Sequence, residues 1–491
     1  MTEKVTVLLG ASESGQIHLD ASMANRHGII SGATGSGKTI SLQVLAEGFS
    51  RIGVPVFMAD VKGDISGIAC AGKNNSTVVE RVAKIGIKDF QYQANPVIFW
   101  DIFANFGHPV RATISDLGPL LLSSLLDLND TQSGVLYSAF KISDDQGLLL
   151  LDLKDLRSLL AWMSENRKLL KAEYGNFSAA SIGAIQRRLL VLQEQGAEHF
   201  FGEPALELPD LMQTDFSGNG VISVLDATKL INQSPRLYAT FLLWMLSEMF
   251  ESLPEQGDAV RPKFVLFFDE AHLLFDRSPR PLLEKIEQVV RLIRSKGVGI
   301  YFISQSPMDI PEDILGQLGL RIQHTLRAFT PKDRKTVKAV ADTFRPNPKI
   351  DTLQAITELG IGEALVSTLD GKGSPTPVER VLIRPPESQI GPLDNEQRKQ
   401  RISRSPLQGR YEETLDRESA YEILKQRAED QASQTNAETQ RQPSRRKARS
   451  NRQNIGEAFM KSAARSIGSQ IGRQIIRGLL GSLMGGKRRR R

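Results

Sequence analysis

Short apolar runs that end on a polar residue alternate along the chain with stretches whose apolar positions recur every three or four residues. The runs predict strands and the spaced stretches predict helices. Residues 5–9 and 17–19 read as short strands, and "NRHGIISG" as a strand entering a Gly-rich loop. "ISLQVLAEGFSRIG" then puts Leu42, Leu45, Ala46 and Phe49 on one helical face. "VPVFMAD" is a short apolar run ending in Asp60. Strand, loop, helix and strand in this order open an α/β doubly wound unit.

Residues 64–219 have a different texture. "LGPLLLSSLLDL", "LKDLRSLLAWMSENRKLLKAEYG" and "SAASIGAIQRRLLVLQEQG" have helical spacing, while "PVIFWDIF" is compatible with a strand. This stretch reads as a large, mainly helical insertion. The α/β alternation resumes over 220–386, with apolar runs at 220–227, 263–272, 297–307, 320–328, 363–369 and 378–385 and helices at 235–251 and 281–295. Residues 1–63 and 220–386 are therefore expected to build one core around the insertion. Residues 387–455 are rich in Gln, Arg, Glu and Ser and read as a polar linker, helical or disordered. A tail follows over 456–491.

Composition narrows the picture. The 491 residues include one cysteine, Cys70, which excludes a disulfide framework and a Cys-rich zinc site. No apolar run approaches the roughly 18 residues of a membrane span, and "MTEKVTVLLGASESG" lacks the build of a signal peptide. A cytoplasmic protein is expected. The net charge of +6 conceals an asymmetry, because 15 Lys/Arg against Glu457 give residues 441–491 a net of +14 and leave −8 on the rest. Such a tail suits a polyanion, either nucleic acid or an anionic membrane surface.

The loop after the third strand is a complete phosphate-binding pattern: Gly32, Ala33, Thr34, Gly35, Ser36, Gly37, Lys38 and Thr39 match G-x-x-x-x-G-K-[ST]. Glycines let backbone N–H groups turn inward around a β-phosphate, and the following helix adds free N–H groups and its positive dipole end. Lys38 offers a cation to the β- and γ-phosphates of ATP, and the Thr39 hydroxyl is a ligand for Mg²⁺.

The apolar run of "KFVLFFDEAH" suits a central parallel strand and places Asp269 and Glu270 at its carboxyl end, where open α/β sheets bind ligands. Asp269 is expected to hold Mg²⁺ through water, and Glu270 to polarise the attacking water. Gln305, after the strand of "GIYFISQSP", is a candidate γ-phosphate sensor. Asp60 could line the same cleft, whereas Asp226 in "ISVLDATKL" reads rather as a turn or cap residue. Phosphoryl transfer also calls for an arginine finger, with Arg291, Arg294, Arg321 and Arg327 as candidates.

With these motifs in order, the chain resembles the HerA–FtsK class of RecA-like ATPases. "NRHGIISGATGSGKT", "ADVKGDISG", "LNDTQ" and "SQSPMDIPEDILGQLG" resemble a bacterial HerA-like P-loop ATPase family of about 500 residues whose cellular role is unassigned. The resemblance implies a RecA-type core, a homo-oligomeric ring with ATP sites between subunits, and a motor on double-stranded DNA. It implies Lys38 and Thr39 as phosphate-loop contacts, Asp269 and Glu270 as the Mg²⁺ and water acids, Gln305 as the strand-end sensor, and Arg294 or Arg321 as the trans arginine. Two departures stand out. About thirty residues precede the loop, where archaeal HerA has a β-barrel, and the helical insertion is long.

In the tail, Ile467, Ile471, Ile475, Leu479 and Leu483 recur every four residues, with Arg465, Arg473 and Arg477 elsewhere on the helical wheel. A polyanion-binding arm, a helix lying on an anionic membrane and a helix packed on another subunit all fit this pattern. Two functions follow as expectations. The first is an ATP-hydrolysing, helicase-like motor on double-stranded DNA. The second is a nucleotide-switched assembly or scaffold ATPase that docks to a membrane or protein partner through residues 456–491.

Overall fold

A computed structural model describes residues 4–257, 259–275 and 280–440. The tail expected over 456–491, and the linker beyond residue 440, lie outside the described residues. The chain divides into two units. The first holds residues 1–137, 151–153 and 177–417.

Its centre is a twelve-stranded sheet. In chain order the strands are β1 (Thr6–Ser12), β2 (Gly15–Asp20), β3 (Gly28–Ser31), β4 (Val56–Asp60), β5 (Val97–Asp101), β6 (His108–Pro109), β7 (Ile222–Asp226), β8 (Phe264–Phe268), β9 (Val298–Ser304), β10 (Leu320–Gln323), β11 (Glu363–Ser367) and β12 (Glu379–Ile383). In space they run β2-β1-β12-β11-β10-β3-β9-β8-β4-β7-β5-β6. From β10 to β6 every pairing is parallel. From β10 through β11, β12 and β1 to β2 every pairing is antiparallel.

The parallel centre explains the unbroken apolar runs. Every residue of β4, β8 and β9 is buried, as strands covered on both faces require. The stretch 64–219 is not helical throughout, since β5 and β6 extend the shared sheet beyond β7. The apolar "VIFW" run suits a covered strand, and β5 pairs residue for residue with β7 on one side and with β6 on the other.

The helix α1 (Lys38–Arg51) carries the phosphate loop at its start. Leu42, Leu45, Ala46 and Phe49 face the sheet and are buried. The Phe49 ring lies 5.6 Å from Tyr301 of β9 and 6.4 Å from Phe267 of β8, so one aromatic cluster joins the helix to both strands. On the other side α1 is strapped down by residues 384–389. The Glu47 carboxylate accepts the N–H groups of Glu387 and Ser388, both at 2.9 Å, and the Gln43 amide donates to the Ser388 hydroxyl at 2.6 Å. Arg51 pairs with Glu387. A helix fixed on both faces gives the loop before it a rigid base.

His27 sets the start of β3. It has a left-handed backbone (φ 58°) and a buried ring. Nδ1 accepts the N–H of Ile300 at 3.0 Å, and Nε2 lies 2.8 Å from the Val290 carbonyl. Accepting at one nitrogen and donating at the other requires neutral imidazole.

Among the described residues the second unit holds 138–150, 154–176 and 418–440. The helix Ala420–Gln440 is anchored there by its first turn. Asp155 accepts the Ser419 hydroxyl at 2.5 Å and the Tyr421 N–H at 3.0 Å, and the Leu149 carbonyl accepts the Ala420 N–H at 2.9 Å.

Burial lowers the His27 pKa from 6.5 to about 4. The unfolded chain then binds a proton below pH 6.5 that the folded protein refuses until about pH 4, so this contribution to stability is lost as the pH falls through that window. His27→Gln should be less stable than wild type at pH 7. The gap, measured by urea unfolding, should narrow by up to about 3 kcal/mol on acidification to about pH 4. A gap independent of pH overturns the assignment of a neutral buried ring.

Candidate nucleotide site

Parallel strands bring their carboxyl ends to one edge of the sheet. Along that edge stand the phosphate loop after β3, Gln305 after β9, Asp269 and Glu270 after β8, and the turn after β4. One strand, β9, separates the loop from the acids.

The loop depends on its glycines. Gly32, Gly35 and Gly37 have φ of 149°, 77° and 114°, values that L side chains rarely adopt. At Gly32 a Cβ would also meet the His324 side chain at 2.6 Å and the Ser36 hydroxyl at 2.9 Å. Ala33 donates its N–H to the Thr325 carbonyl at 2.9 Å, and the Ser36 carbonyl accepts the Gly362 N–H at 3.3 Å. His324 lies beneath the loop, with Nε2 2.9 Å from the Ser41 hydroxyl and Nδ1 2.9 Å from the Glu363 carbonyl. Burial lowers its pKa to about 4, which keeps the ring uncharged below a site built for anions.

Lys38 is buried, and its ammonium donates to the carbonyls of Gly32 at 2.5 Å and Ala33 at 3.1 Å. Its pKa is lowered by burial and by the neighbouring Lys62, with Glu270 and Asp269 opposing. Thr34 and Gly35 are exposed at the outside of the loop, and Ser36 is buried with its hydroxyl donating to the Ala33 carbonyl at 2.7 Å. Thr39, in the first turn of α1, holds its hydroxyl 3.5 Å from the Asp64 carboxylate.

The acids are ordered by their surroundings. Asp269 is buried at the end of β8 and accepts the Glu270 N–H at 2.9 Å; its carbonyl accepts the buried Tyr238 hydroxyl at 2.8 Å. Burial raises its pKa to about 6, with the Lys62 ammonium opposing the rise and Glu270 adding to it. Glu270 is a non-glycine residue at φ 48°, a strained backbone that over-determined surroundings maintain. The Ala271 N–H is tied to the Ile303 carbonyl of β9 at 2.9 Å, and the Glu270 carboxylate lies 3.3 Å from the Lys62 ammonium and 3.5 Å from His272.

Lys62, Asp64 and His324 are the site residues that motif reading missed. Lys62 and Asp64 are carried by "DVKGD", and Asp60 explains how. Its buried carboxylate accepts the N–H groups of Gly63 (2.7 Å), Asp64 (3.1 Å) and Ile65 (3.1 Å). Asp60 therefore folds the turn, and its neighbours enter the cleft. Burial pulls the Lys62 pKa down, but Asp269 and Glu270, with Asp64, outweigh it and the net shift is upward. The alternation of charge around glycine was the available signal. Asp226 takes a turn role as well, accepting the Thr228 N–H at 3.1 Å and hydroxyl at 2.6 Å.

Gln305 is exposed directly after β9, on the edge shared with the loop. Arg294 and Arg321 are elsewhere. Arg294 is exposed in the turn before β9, and Arg321 is the second residue of β10, so both lie toward the amino ends of parallel strands, away from this chain's own loop. Arg321 donates to the carbonyls of Thr343 and Leu315, both at 3.2 Å.

The family model for the helicase HerA-like C-terminal domain matches residues 6–490. The chain belongs to that family. Among curated relatives, the DNA double-strand break repair helicase HerA of Sulfolobus acidocaldarius is 26% identical over 149 residues, which is 30% of this chain and 29% of that protein. The HerA helicase of Saccharolobus solfataricus is 24% identical over the same shares. The match thus spans under a third of those relatives' length. Among solved structures, VirB4 of Thermoanaerobacter pseudethanolicus superposes with a TM-score of 0.51 at 16% identity, over 78% of this chain and 97% of that one. The bacterial conjugative coupling protein TrwB, in a form lacking 70 N-terminal residues, gives 0.52 at 14% identity, over 78% and 89%. The HerA-like chain has the RecA-like P-loop ATPase fold.

Among the described residues, no three His, Cys, Asp or Glu side chains form a ready metal cage. The Thr39 hydroxyl and the Asp269 carboxylate stand on the same sheet edge as the glycine loop.

Gly37→Ala tests the cradle. A Cβ at φ 114° is strained whatever space surrounds it, so the loop must shift. Binding of a fluorescent ATP analogue should weaken by at least about tenfold (about 1.4 kcal/mol) while the urea midpoint changes little. Unchanged affinity would show that this backbone geometry is not what binds.

Proposed function

We propose that this chain is an ATP-hydrolysing motor that assembles as a ring and translocates on double-stranded DNA. The observation that carries the reading is the convergence of Lys38 and Thr39 with Asp269 and Glu270 on one sheet edge, where the turn after β4 reaches Thr39 through Asp64 (3.5 Å) and Glu270 through Lys62 (3.3 Å). The names of the curated relatives, DNA double-strand break repair helicases, support DNA as the track.

In this reading the glycine loop and Lys38 bind the β- and γ-phosphates of ATP. Lys38 exchanges its loop carbonyls for phosphate oxygens. Thr39 and Asp269 would hold Mg²⁺, which would supply positive charge against the charge of the phosphates. Glu270 receives the proton of the attacking water. The Lys62 ion pair and the fixed Ala271 amide orient that carboxylate, and positioning is most of what phosphoryl transfer asks of a protein. Gln305 contacts the γ-phosphate or the water from the intervening strand. The arginine finger comes from a neighbouring subunit. Arg321 is committed to two carbonyls of its own chain, so exposed Arg294 is the better placed of the two.

Glu270→Gln removes the proton acceptor and keeps the shape. Turnover should fall by at least about a hundredfold with ATP binding retained. Hydrolysis at the wild-type rate would refute the assignment. The motor itself is tested by steady-state ATPase activity of the full chain with and without linear double-stranded DNA at low and moderate salt. Several-fold stimulation that fades with salt is expected, because phosphate contacts carry the affinity. A slow rate indifferent to DNA overturns the motor and favours the switch-like assembly ATPase.

A further inference from the structure

Between β10 and β11 the chain leaves the sheet and builds a small lobe. Leu326, Val337, Val340, Phe344, Ile356 and Leu359 form an apolar cluster there with Leu365 of β11 and Val378 before β12. Two helices, Pro331–Ala341 and Thr352–Glu358, pack over that core. The first opens with a complete capping box between Thr330 and Asp333.

Its charge sets the lobe apart. Residues 327–349 contain seven Lys/Arg against Asp333 and Asp342, a net of +5 within a chain whose first 440 residues sum to −8. Val337 and Val340 turn inward, and Lys332, Arg334, Lys335 and Lys338 of the same helix are exposed or half-exposed. Among the described residues, no carboxylate lies within ion-pair distance of these four side chains. Arg327 and Arg345 are exposed nearby in sequence, and Phe329 at the base of the lobe is 81% exposed. Unpaired like charges crowded on a short helix repel one another, so this face is stabilised by an anionic partner.

Both stems of the lobe are bonded to the phosphate loop. Where the chain leaves β10, Thr325 accepts the Ala33 N–H at 2.9 Å, and His324 donates its N–H to Ser31 at 2.7 Å. Where it returns, Gly362 donates to the Ser36 carbonyl at 3.3 Å. The His324 ring joins the stems, bonded to Ser41 of α1 on one side and Glu363 on the other. A change in loop shape therefore acts on both roots of the lobe.

We propose that the basic face of this lobe is a docking surface for the phosphate backbone of double-stranded DNA, mechanically coupled to the nucleotide loop through Thr325 and Gly362. The inference rests on the DNA-motor reading and adds where the duplex is gripped and how nucleotide state reaches it. Regularly spaced phosphates suit the exposed cations, and a grip on the backbone carries no sequence preference, as a motor moving along any duplex requires.

The test combines Lys332→Ala, Arg334→Ala, Lys335→Ala and Lys338→Ala in the full chain. Alanine preserves helix propensity and the buried valines keep the lobe core. Arg167→Ala, Lys168→Ala and Lys171→Ala, on an exposed basic helix of the other unit, form the control. Fluorescence anisotropy with a labelled linear duplex across a salt series is read beside ATPase activity. The lobe variant should bind at least about tenfold more weakly at low salt. Its slope of log affinity against log salt should shrink by roughly 0.9 for each DNA phosphate that the variant no longer neutralises. DNA stimulation should fall while the DNA-free rate holds, because none of the four residues touches the nucleotide site. Wild-type binding and stimulation that persist in the lobe variant, or an equal loss in the control, overturn the docking surface and leave the motor reading standing. A wild-type chain that neither binds the duplex nor responds to it overturns both.

Discussion

The molecule rests on one constraint. Parallel strands buried on both faces can present polar groups only at their ends. β3, β9, β8 and β4 lie side by side in parallel register, so the residues just past their ends must share one edge. The phosphate loop, Gln305, the Asp269–Glu270 pair and the Asp60 turn are brought together by this packing rather than by direct attraction. The apolar runs that look featureless in sequence do the placing. The aromatic contacts of Phe49 with Phe267 and Tyr301 then fix α1, and hence the loop, against the two strands that lead into the acids and Gln305.

Opposite charges meet within the cleft. Two ammonium groups, Lys38 and Lys62, face the carboxylates of Asp64, Asp269 and Glu270. Burial alone favours neutral forms on both sides, raising Asp269 and lowering Lys38, while the opposite charges resist. Lys38 is bonded to loop carbonyls and Lys62 to Glu270, so each cation is held before any phosphate arrives. Fixed dipoles and charges of this kind reduce the reorganisation that phosphoryl transfer requires. His324, kept neutral by burial, supports the loop without adding a charge that would compete.

The lobe between β10 and β11 shows how such a site can reach outward. Its stems share hydrogen bonds with Ala33 and Ser36, while its first helix carries much of the positive charge of residues 327–349. Its apolar cluster runs on into Leu365 of β11 and Val378 before β12, so the lobe is packed on the sheet as well as bonded to the loop. An energetic link between sites needs a contiguous element that both can bias, and this lobe has that form.

The sequence by itself determined the elements that have strong local chemistry. Loop glycines at left-handed φ, a lysine and threonine at the start of an amphipathic helix, and apolar runs ending in acids are each legible because their physics acts within a few residues. Every strand except β6, with α1 and the helix at 235–251, was legible for the same reason. Tertiary structure alone decided what depends on distant pairing. It joined β5 and β6 to the sheet beyond β7, placed His324 beneath a loop almost three hundred positions earlier, and turned Asp60 from a cleft residue into the clasp that presents Lys62 and Asp64. It also set Arg294 and Arg321 away from their own loop, with Arg321 held by two carbonyls. These outcomes follow from strand order and hydrogen-bond competition between remote segments, and no local spacing in the chain encodes either.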